Sequence, residues 1–316
     1  MVNQNSFSSR HFRLEQLADG VYAAIHAEGG WAVCNAGIID LGDRTVVYDA
    51  FMTPVAARDL RQAAESLTGQ PVHAVINSHY HNDHIWGNQV FSAGADIISS
   101  TQTRKLIIKE GALEIQGYRA SAQQTLSTIE ESFKVETDNK NRNQLKILVD
   151  YFQAILATLP ELEIRLPNLT FTDDMILEGS SRSARLITFA GGHCGSDTIL
   201  HLPQDGIVFM EDLLFVDVHP YLADGDPDAL QQILAQVRKL GATKFVPGHG
   251  PVGDARHLDW MDTYIGTLNL LVREAISRGM PEVEIDQIPM PEEYQDLVYP
   301  NFFPANLKFL YKRQSG

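Results

Sequence analysis

Cysteine is scarce: the 316-residue chain has two, Cys34 and Cys194. Two thiols cannot build a disulfide framework, which fits a reducing compartment. Positive charge is also in short supply, with 25 Lys and Arg against 40 Asp and Glu and a net charge of −15. Affinity for nucleic acid comes mostly from cations on phosphates, so this balance argues against nucleic acid as a partner. No apolar run reaches the roughly 18 residues a membrane span requires. The opening segment Met1–Phe7 lacks the basic-then-apolar pattern of a secretory signal, so a cytoplasmic protein is expected. What is present is 44% hydrophobic content, enough for a sizeable core in one large domain or one domain with an appendage.

Against this background, one stretch stands apart: His79-Tyr80-His81-Asn82-Asp83-His84. Pro71–Asn77 before it is apolar and β-branched and reads as a buried strand, with Ser78 and the polar run after it as the loop at its end. Three imidazoles and a carboxylate on one strand end are poorly explained by packing, since each buried unpaired polar group costs about 2–7 kcal/mol. A metal ion consumes their lone pairs. His79 and His81, two apart on extended backbone, project to one side and can share an ion. Asp83 and His84 point elsewhere and suit a second ion.

Two ions need more ligands, and three later segments supply them. Ala190-Gly191-Gly192-His193-Cys194-Gly195-Ser196 follows the strand-like Ala184–Phe189. Ile207–Met210 reads as a strand leading to Glu211-Asp212. Lys244–Pro247 reads as a strand leading to Gly248-His249-Gly250. Each apolar run delivers a ligand-type residue at its carboxyl end, where open α/β sheets place their ligands. Glycines beside His193 and His249 permit tight turns.

His-x-His-x-Asp-His, a His in a Gly-rich turn, an Asp after a strand, and Pro-Gly-His-Gly in that order resemble the motif set of the metallo-β-lactamase-fold hydrolases, over roughly residues 20–255. The resemblance implies that His79, His81 and His193 hold one metal, that Asp83, His84 and His249 hold the second, and that Asp212 bridges both. Asp49, after Val46-Val47-Tyr48, matches a supporting Asp of the family. Two positions depart from the usual pattern. Glu211 stands where Gly is common before the bridging Asp, and Cys194 follows His193 where many relatives have Thr, which makes it an additional soft-ligand candidate. An Asp at 212 resembles the glyoxalase II, lactonase and phosphodiesterase branches. Antibiotic-hydrolysing zinc β-lactamases usually carry Cys or Ser there.

The chain organises around these motifs. Residues 20–50 read as a β-meander, and Thr53 caps a helix over Val55–Leu67 with Pro54 in its first turn. From about 101 to 160 the texture turns helical, with Ala120–Lys134 and Asn143–Leu159 forming a hairpin insert that serves as a lid or covers a sheet edge. The second half, from about Leu162 to Val252, carries strands near Leu169–Phe171, Met175–Leu177, Arg185–Phe189, Thr198–Leu202 and Ile207–Met210, then a helix over Pro227–Leu240. The expected fold is an α/β protein, an αβ/βα four-layer sandwich. Residues 1–255 form the catalytic domain with its insert, and 256–316 form a helical C-terminal extension. Asp254–Arg278 is its long amphipathic helix. The aromatic segment Tyr299–Pro304 packs either on the core or in a homo-oligomer interface.

The expected function is that of a dinuclear metal-dependent hydrolase, with zinc as the first choice of divalent ion and manganese or iron as alternatives. A water between two cations ionises near neutral pH, and the resulting metal-bridged hydroxide attacks a small-molecule ester, thioester or lactone. Asp83 orients the nucleophile and shuttles a proton. The competing readings are a phosphodiesterase with the same two-metal centre and a mononuclear-iron oxidoreductase similar to sulfur dioxygenases. Tyr80, Trp86, Phe215, His219 and Tyr221 are candidates to line the pocket, with His219 also a proton-transfer candidate.

Overall fold

A computed structural model describes residues 7–315 of the chain, so Met1–Ser6 of the opening segment lie outside the described residues. Its first half runs β1 (Phe12–Ala18), β2 (Val21–His26), β3 (Ala36–Asp40), β4 (Thr45–Tyr48), α1 (Pro54–Thr68), β5 (Val72–Ile76), the short helices α2 (Asn82–Ile85) and α3 (Asn88–Phe91), and β6 (Asp96–Ser100). The insert follows as α4 (Thr101–Val135) and α5 (Asn139–Thr158). The second half runs β7 (Leu169–Phe171), β8 (Met175–Glu178), β9 (Ser183–Phe189), β10 (Asp197–Leu202), β11 (Ile207–Phe215), α6 (Pro227–Arg238) and β12 (Lys244–His249). Two helices close the chain, α7 (Ala255–Ser277) and α8 (Phe302–Ser315). No helix among the described residues is long and apolar enough to cross a membrane.

The strands form two sheets, ordered β1-β2-β3-β4-β5-β6-β7 and β12-β11-β10-β9-β8. Side chains alternate across the central strands of the first. Ile39, Val46 and Ile76 face Leu186, Leu200, Phe209 and Val246 of the second sheet. Ile38, Val47 and Val75 face Ala56, Leu60 and Ala63 of α1 on the outer side. Burial on both faces explains the mostly apolar make-up of β3, β4 and β5, interrupted in β5 by the exposed His73. On the far side of the second sheet, Leu213 and Phe215 pack with α6, α7 and α8 through Leu230, Leu234, Tyr264, Leu268 and Leu307. The result is the expected αβ/βα four-layer sandwich. Its two sheets approach closely at Gly37, where a Cβ would lie 2.6 Å from the Phe209 ring.

Several elements differ from their sequence-based expectation. Leu169–Phe171 pairs in parallel with β6 and so completes the first sheet rather than opening the second half. The first insert helix begins at Thr101, capped by the Ser100 side chain, well before Ala120. Gly111 and Gly117 dilute its helical signal, but tertiary packing of Ile107 and Ala122 overrides that weakness. β1, ahead of the meander read over residues 20–50, carries charged residues at Arg13 and Glu15 yet pairs antiparallel with β2. β11 does not stop at Met210 but runs on to Phe215, because Leu213, Leu214 and Phe215 are buried. Its register against β12 shifts around Glu211, which adopts a left-handed φ of 49°. Asp212 therefore follows a kink inside a strand rather than ending one. In the tail, Phe303 is buried against the second-sheet helices of its own chain.

Candidate metal centre

β5 ends at Ile76, and the chain continues through Asn77 and Ser78 into His79. The single turn of α2 then folds Asp83 and His84 back toward it, giving the one hexapeptide two directions. β10, β11 and β12 belong to the other sheet, and the turns and strand positions there bring His193, Asp212 and His249 across to meet it. Gly248 is essential to this approach, since a Cβ there would lie 1.9 Å from Asp212 Oδ1. Pro247 is accommodated because β12 is an edge strand. Asn35 ties the two sheets together beside the site, donating through Nδ2 to the carbonyls of Pro247 at 2.9 Å and Gly250 at 2.8 Å.

The ligand-type atoms gather in overlapping clusters. His79, His81, His193 and Asp212 each offer an atom within 4.8 Å of the others, as do His84, Asp212 and His249, so Asp212 belongs to both sets. Asp83 Oδ2 lies 3.3 Å from His249 Nε2 and 3.6 Å from His84 Nε2, which places Asp83 with the second set. Asp212 reaches His193 Nε2 at 3.3 Å through Oδ2, and His84 and His249 Nε2 at 3.4 Å through Oδ1. All seven residues singled out in the sequence thus converge.

Each of four imidazoles is held by its outward nitrogen while the other nitrogen faces inward. His79 Nδ1 contacts Glu211 Oε2 at 2.8 Å, and His84 Nδ1 contacts Asp49 Oδ2 at 2.8 Å. His81 Nε2 meets Asp224 Oδ2 at 3.0 Å, and His193 Nδ1 donates to the Tyr221 carbonyl at 3.1 Å. Inside the ring, His79 Nε2, His84 Nε2 and Asp212 Oδ1 are buried with no hydrogen-bond partner. Buried polar atoms seldom remain unpaired. For His79 and His84, an anchored outward nitrogen with an unpaired inward one is the pattern of an imidazole oriented for a cation, while the inward nitrogens of His81 and His193 meet each other at 2.9 Å. The donor set of nitrogen and carboxylate oxygen suits a divalent first-row ion.

Electrostatics point the same way. Burial pushes His79 well below the ordinary imidazole range and His193 down to about 4, keeping both neutral, as ligation requires. Burial also opposes charge on His249 and His84, but Asp212 and Asp83 outweigh it, raising His249 to about 9; Cys34, Asp83 and Asp212 raise His84. Burial alone would raise Asp212, yet His249, His84 and His193 hold its carboxyl well below the usual range. The second cluster attracts positive charge.

The supporting residues divide. Asp49 accepts from Ser78 N–H at 2.9 Å and from Ser78 Oγ at 2.8 Å besides its contact with His84, as a supporting Asp should. Tyr80 donates to Asp224 at 2.5 Å and so braces the carboxylate behind His81. Phe215 stacks on the His249 ring at 5.5 Å, and Phe215 and Tyr221 line a cavity of about 430 Å³ over the clusters. Trp86 is not part of that lining; it is buried edge-on against Tyr118 beneath the insert. His219 lies outside the lining as well, buried and bonded through Nδ1 to Tyr264 OH at 2.9 Å. Apolar neighbours Val218 and Leu222 draw that loop into the core beneath the tail. Cys194 Sγ turns away from the clusters to Asp197 Oδ1 at 3.0 Å, where burial raises its thiol pKa far above the usual value.

Other residues at the site had no sequence signal of their own. Asp197 fixes the His193 turn by accepting from His193 N–H at 3.0 Å and Cys194 N–H at 3.1 Å. Cys34, buried, donates to the Asp83 carbonyl at 3.0 Å and groups with Asp83 and His84. Glu114, Tyr118, Tyr151 and Phe152 of the insert, and Tyr299 and Phe302 near the C-terminus, wall the cavity.

Comparison with known proteins agrees with this architecture. The profile of the metallo-beta-lactamase superfamily matches residues 29–249. Among solved structures, a metallo-beta-lactamase from Pontibacter korlensis is similar with a TM-score of 0.58 at 15% identity, over 81% of this chain and 99% of that one. One from Erythrobacter litoralis, with beta mercaptoethanol in its active site, gives 0.58 at 16% over 82% and 98%. The mono-zinc form of the metallo-beta-lactamase FIM-1 from Pseudomonas aeruginosa gives 0.56 at 13% over 81% and 95%. At such identities the likeness is one of fold.

Proposed function

The chain belongs to the metallo-beta-lactamase superfamily, and from that premise we propose that it is a dinuclear metal-dependent hydrolase of a small ester, thioester or lactone. The observation that carries this reading is the pair of clusters sharing Asp212, with inward-facing atoms of His79, His84 and Asp212 left unpaired. In it, His79, His81 and His193 hold one ion, Asp83, His84 and His249 hold the other, and Asp212 serves both. Zinc is the ion we favour. Such ions, when bound, supply Lewis acidity to a carbonyl oxygen and bring the pKa of a water down to about 7.

The protein's own part is to orient and to move protons. Glu211, Asp49, Asp224 and the Tyr221 carbonyl fix four imidazoles before any ligand arrives, so no reorganisation is needed during the reaction. Asp83 has one carboxylate oxygen between His84 and His249. Facing the cavity, it accepts a hydrogen bond from the attacking water and returns that proton to the leaving oxygen or sulfur. The aromatic walls exclude bulk water from the reacting carbonyl.

The test is hydrolysis of ester, thioester and lactone panels by protein purified with its metals, beside Asp83→Asn. Turnover of at least one class, lost by about 10²–10⁴-fold in kcat in the variant, is the expected result. Absence of turnover across all three classes, or an Asp83→Asn enzyme that keeps most of its activity, would overturn the reading.

A further inference from the structure

We propose that the cavity over the clusters selects substrates whose group beyond the scissile bond is uncharged and aromatic or apolar, and that Glu114 enforces this against anionic groups. The proposal rests on the hydrolase reading for the word substrate, but the selectivity itself is a property of the walls.

Among the described residues, neither Lys nor Arg lines the cavity of about 430 Å³. Its walls outside the clusters are largely aromatic, with Tyr118, Tyr151 and Phe152 from the insert, Phe215 from β11, Tyr221 from the loop after it and Phe302 from the tail. The hydroxyls of Tyr118 and Tyr151 are engaged with each other at 2.9 Å. A carboxylate or phosphate placed there would surrender its hydration with no cation to replace it. An aromatic or alkyl group would gain from burial and ring contacts.

Glu114 is the one carboxylate of the lining outside the clusters, and none of the ion pairs among the described residues includes it. Its position on α4 puts a negative or neutral acid, never a cation, where an anionic group would sit, and like-charge repulsion then counts against such a substrate. Burial raises its carboxyl to about 7. A second cavity of about 470 Å³ adjoins the first past Val33, Tyr151, Val218, His249 and Tyr299, which line both. Arg13 is the cation of that outer lobe, and it is paired with Glu15 at 3.0 Å. No lysine or arginine therefore stands on the inner wall, and the arginine of the outer lobe is already engaged. The same features disfavour phosphodiesters, whose flanking groups commonly carry further charge.

The test uses three alkyl hydroxamates of equal chain length, tailed with phenyl, carbamoyl or carboxylate, titrated calorimetrically into the metal-containing protein. The hydroxamate anchors all three at the metal centre, so differences report the tail. At about pH 8.5, above the Glu114 value, carbamoyl should bind about tenfold more tightly than carboxylate, and phenyl more tightly still. Glu114→Gln should narrow the carbamoyl-to-carboxylate gap to within about threefold. Equal affinity for all three tails, or a gap unchanged in Glu114→Gln, would overturn the proposal. Phenyl esters of the matching acids separate the two readings. Graded hydroxamate binding with no ester cleaved would remove the hydrolase and leave the selectivity. Equal affinities with all three esters cleaved alike would remove the selectivity and leave the hydrolase.

Discussion

The ring of His and Asp side chains and the cavity wall above it are built in opposite ways. The ring comes from strand positions and tight turns of both sheets, and outward acceptors hold four of its imidazoles, two of them through the buried carboxylates of Glu211 and Asp49. The wall comes largely from a helical hairpin inserted between strands and from the segment that leads into the last helix and that helix's first residue, with these aromatics partly exposed. The reacting atoms sit on rigid elements, and the surface that chooses among substrates sits on appended ones. Changes to the ring should therefore abolish chemistry, whereas changes to the wall should alter preference.

The largest expected effect is at the residue common to both clusters. Asp212→Ala should lower kcat/KM by about 10³-fold or more, because several kcal/mol of charge stabilisation depend on ions it helps to hold. Steady-state kinetics with added metal would check this; restoration by excess metal would mean the shared ligand is dispensable. A smaller loss is expected behind the ring. Glu211→Gly keeps a residue suited to the left-handed backbone but deletes the acceptor on His79. It should weaken metal affinity by about 10–100-fold with the fold retained, as read by competition with a chromogenic chelator. Unchanged affinity would show that Glu211 is only a backbone position.

On the wall the effect should be a change of ratio. Phe152→Ala should raise KM for an aromatic-tailed ester about three- to tenfold relative to the acetyl ester, from lost ring contact. Equal shifts for both esters would mean that Phe152 does not touch the tail. The mildest prediction concerns His219, which the core has claimed. Burial lowers its pKa to about 4, below the ordinary 6.5. Its contribution to stability is therefore present above about pH 6.5 and lost as pH falls toward 4, where the unfolded chain binds the extra proton. Denaturant melts from pH 7 to 4 should show a slope that His219→Phe flattens, by on the order of 1–3 kcal/mol across the range. Parallel curves would remove that role.

The same contrast explains what could be read from the chain alone. The ring was legible because ligation demands particular residue types at short spacings, so His79–His84 and the turns around His193 and His249 announce themselves. Asp49 was legible only through the family resemblance, as a supporting Asp at the end of an apolar strand. The acceptors were harder. Glu211 read as a departure from a glycine, and nothing local says that it turns toward a histidine on the other sheet. Asp224 belongs to no motif and lies in the loop between β11 and α6. The wall was least legible, since Glu114, Tyr118 and Tyr151 fit the pattern of any amphipathic helix and meet the site only through tertiary packing. His219 and Trp86 were close to ligands in sequence, and the core took them instead.

The central claim is that two ions sit in the two clusters joined by Asp212. Elemental analysis of protein purified without added metal, beside its Asp212→Ala variant, tests it most directly. Two zinc ions per chain in the native protein and fewer in the variant are expected. A single iron per chain, retained by Asp212→Ala, would contradict it.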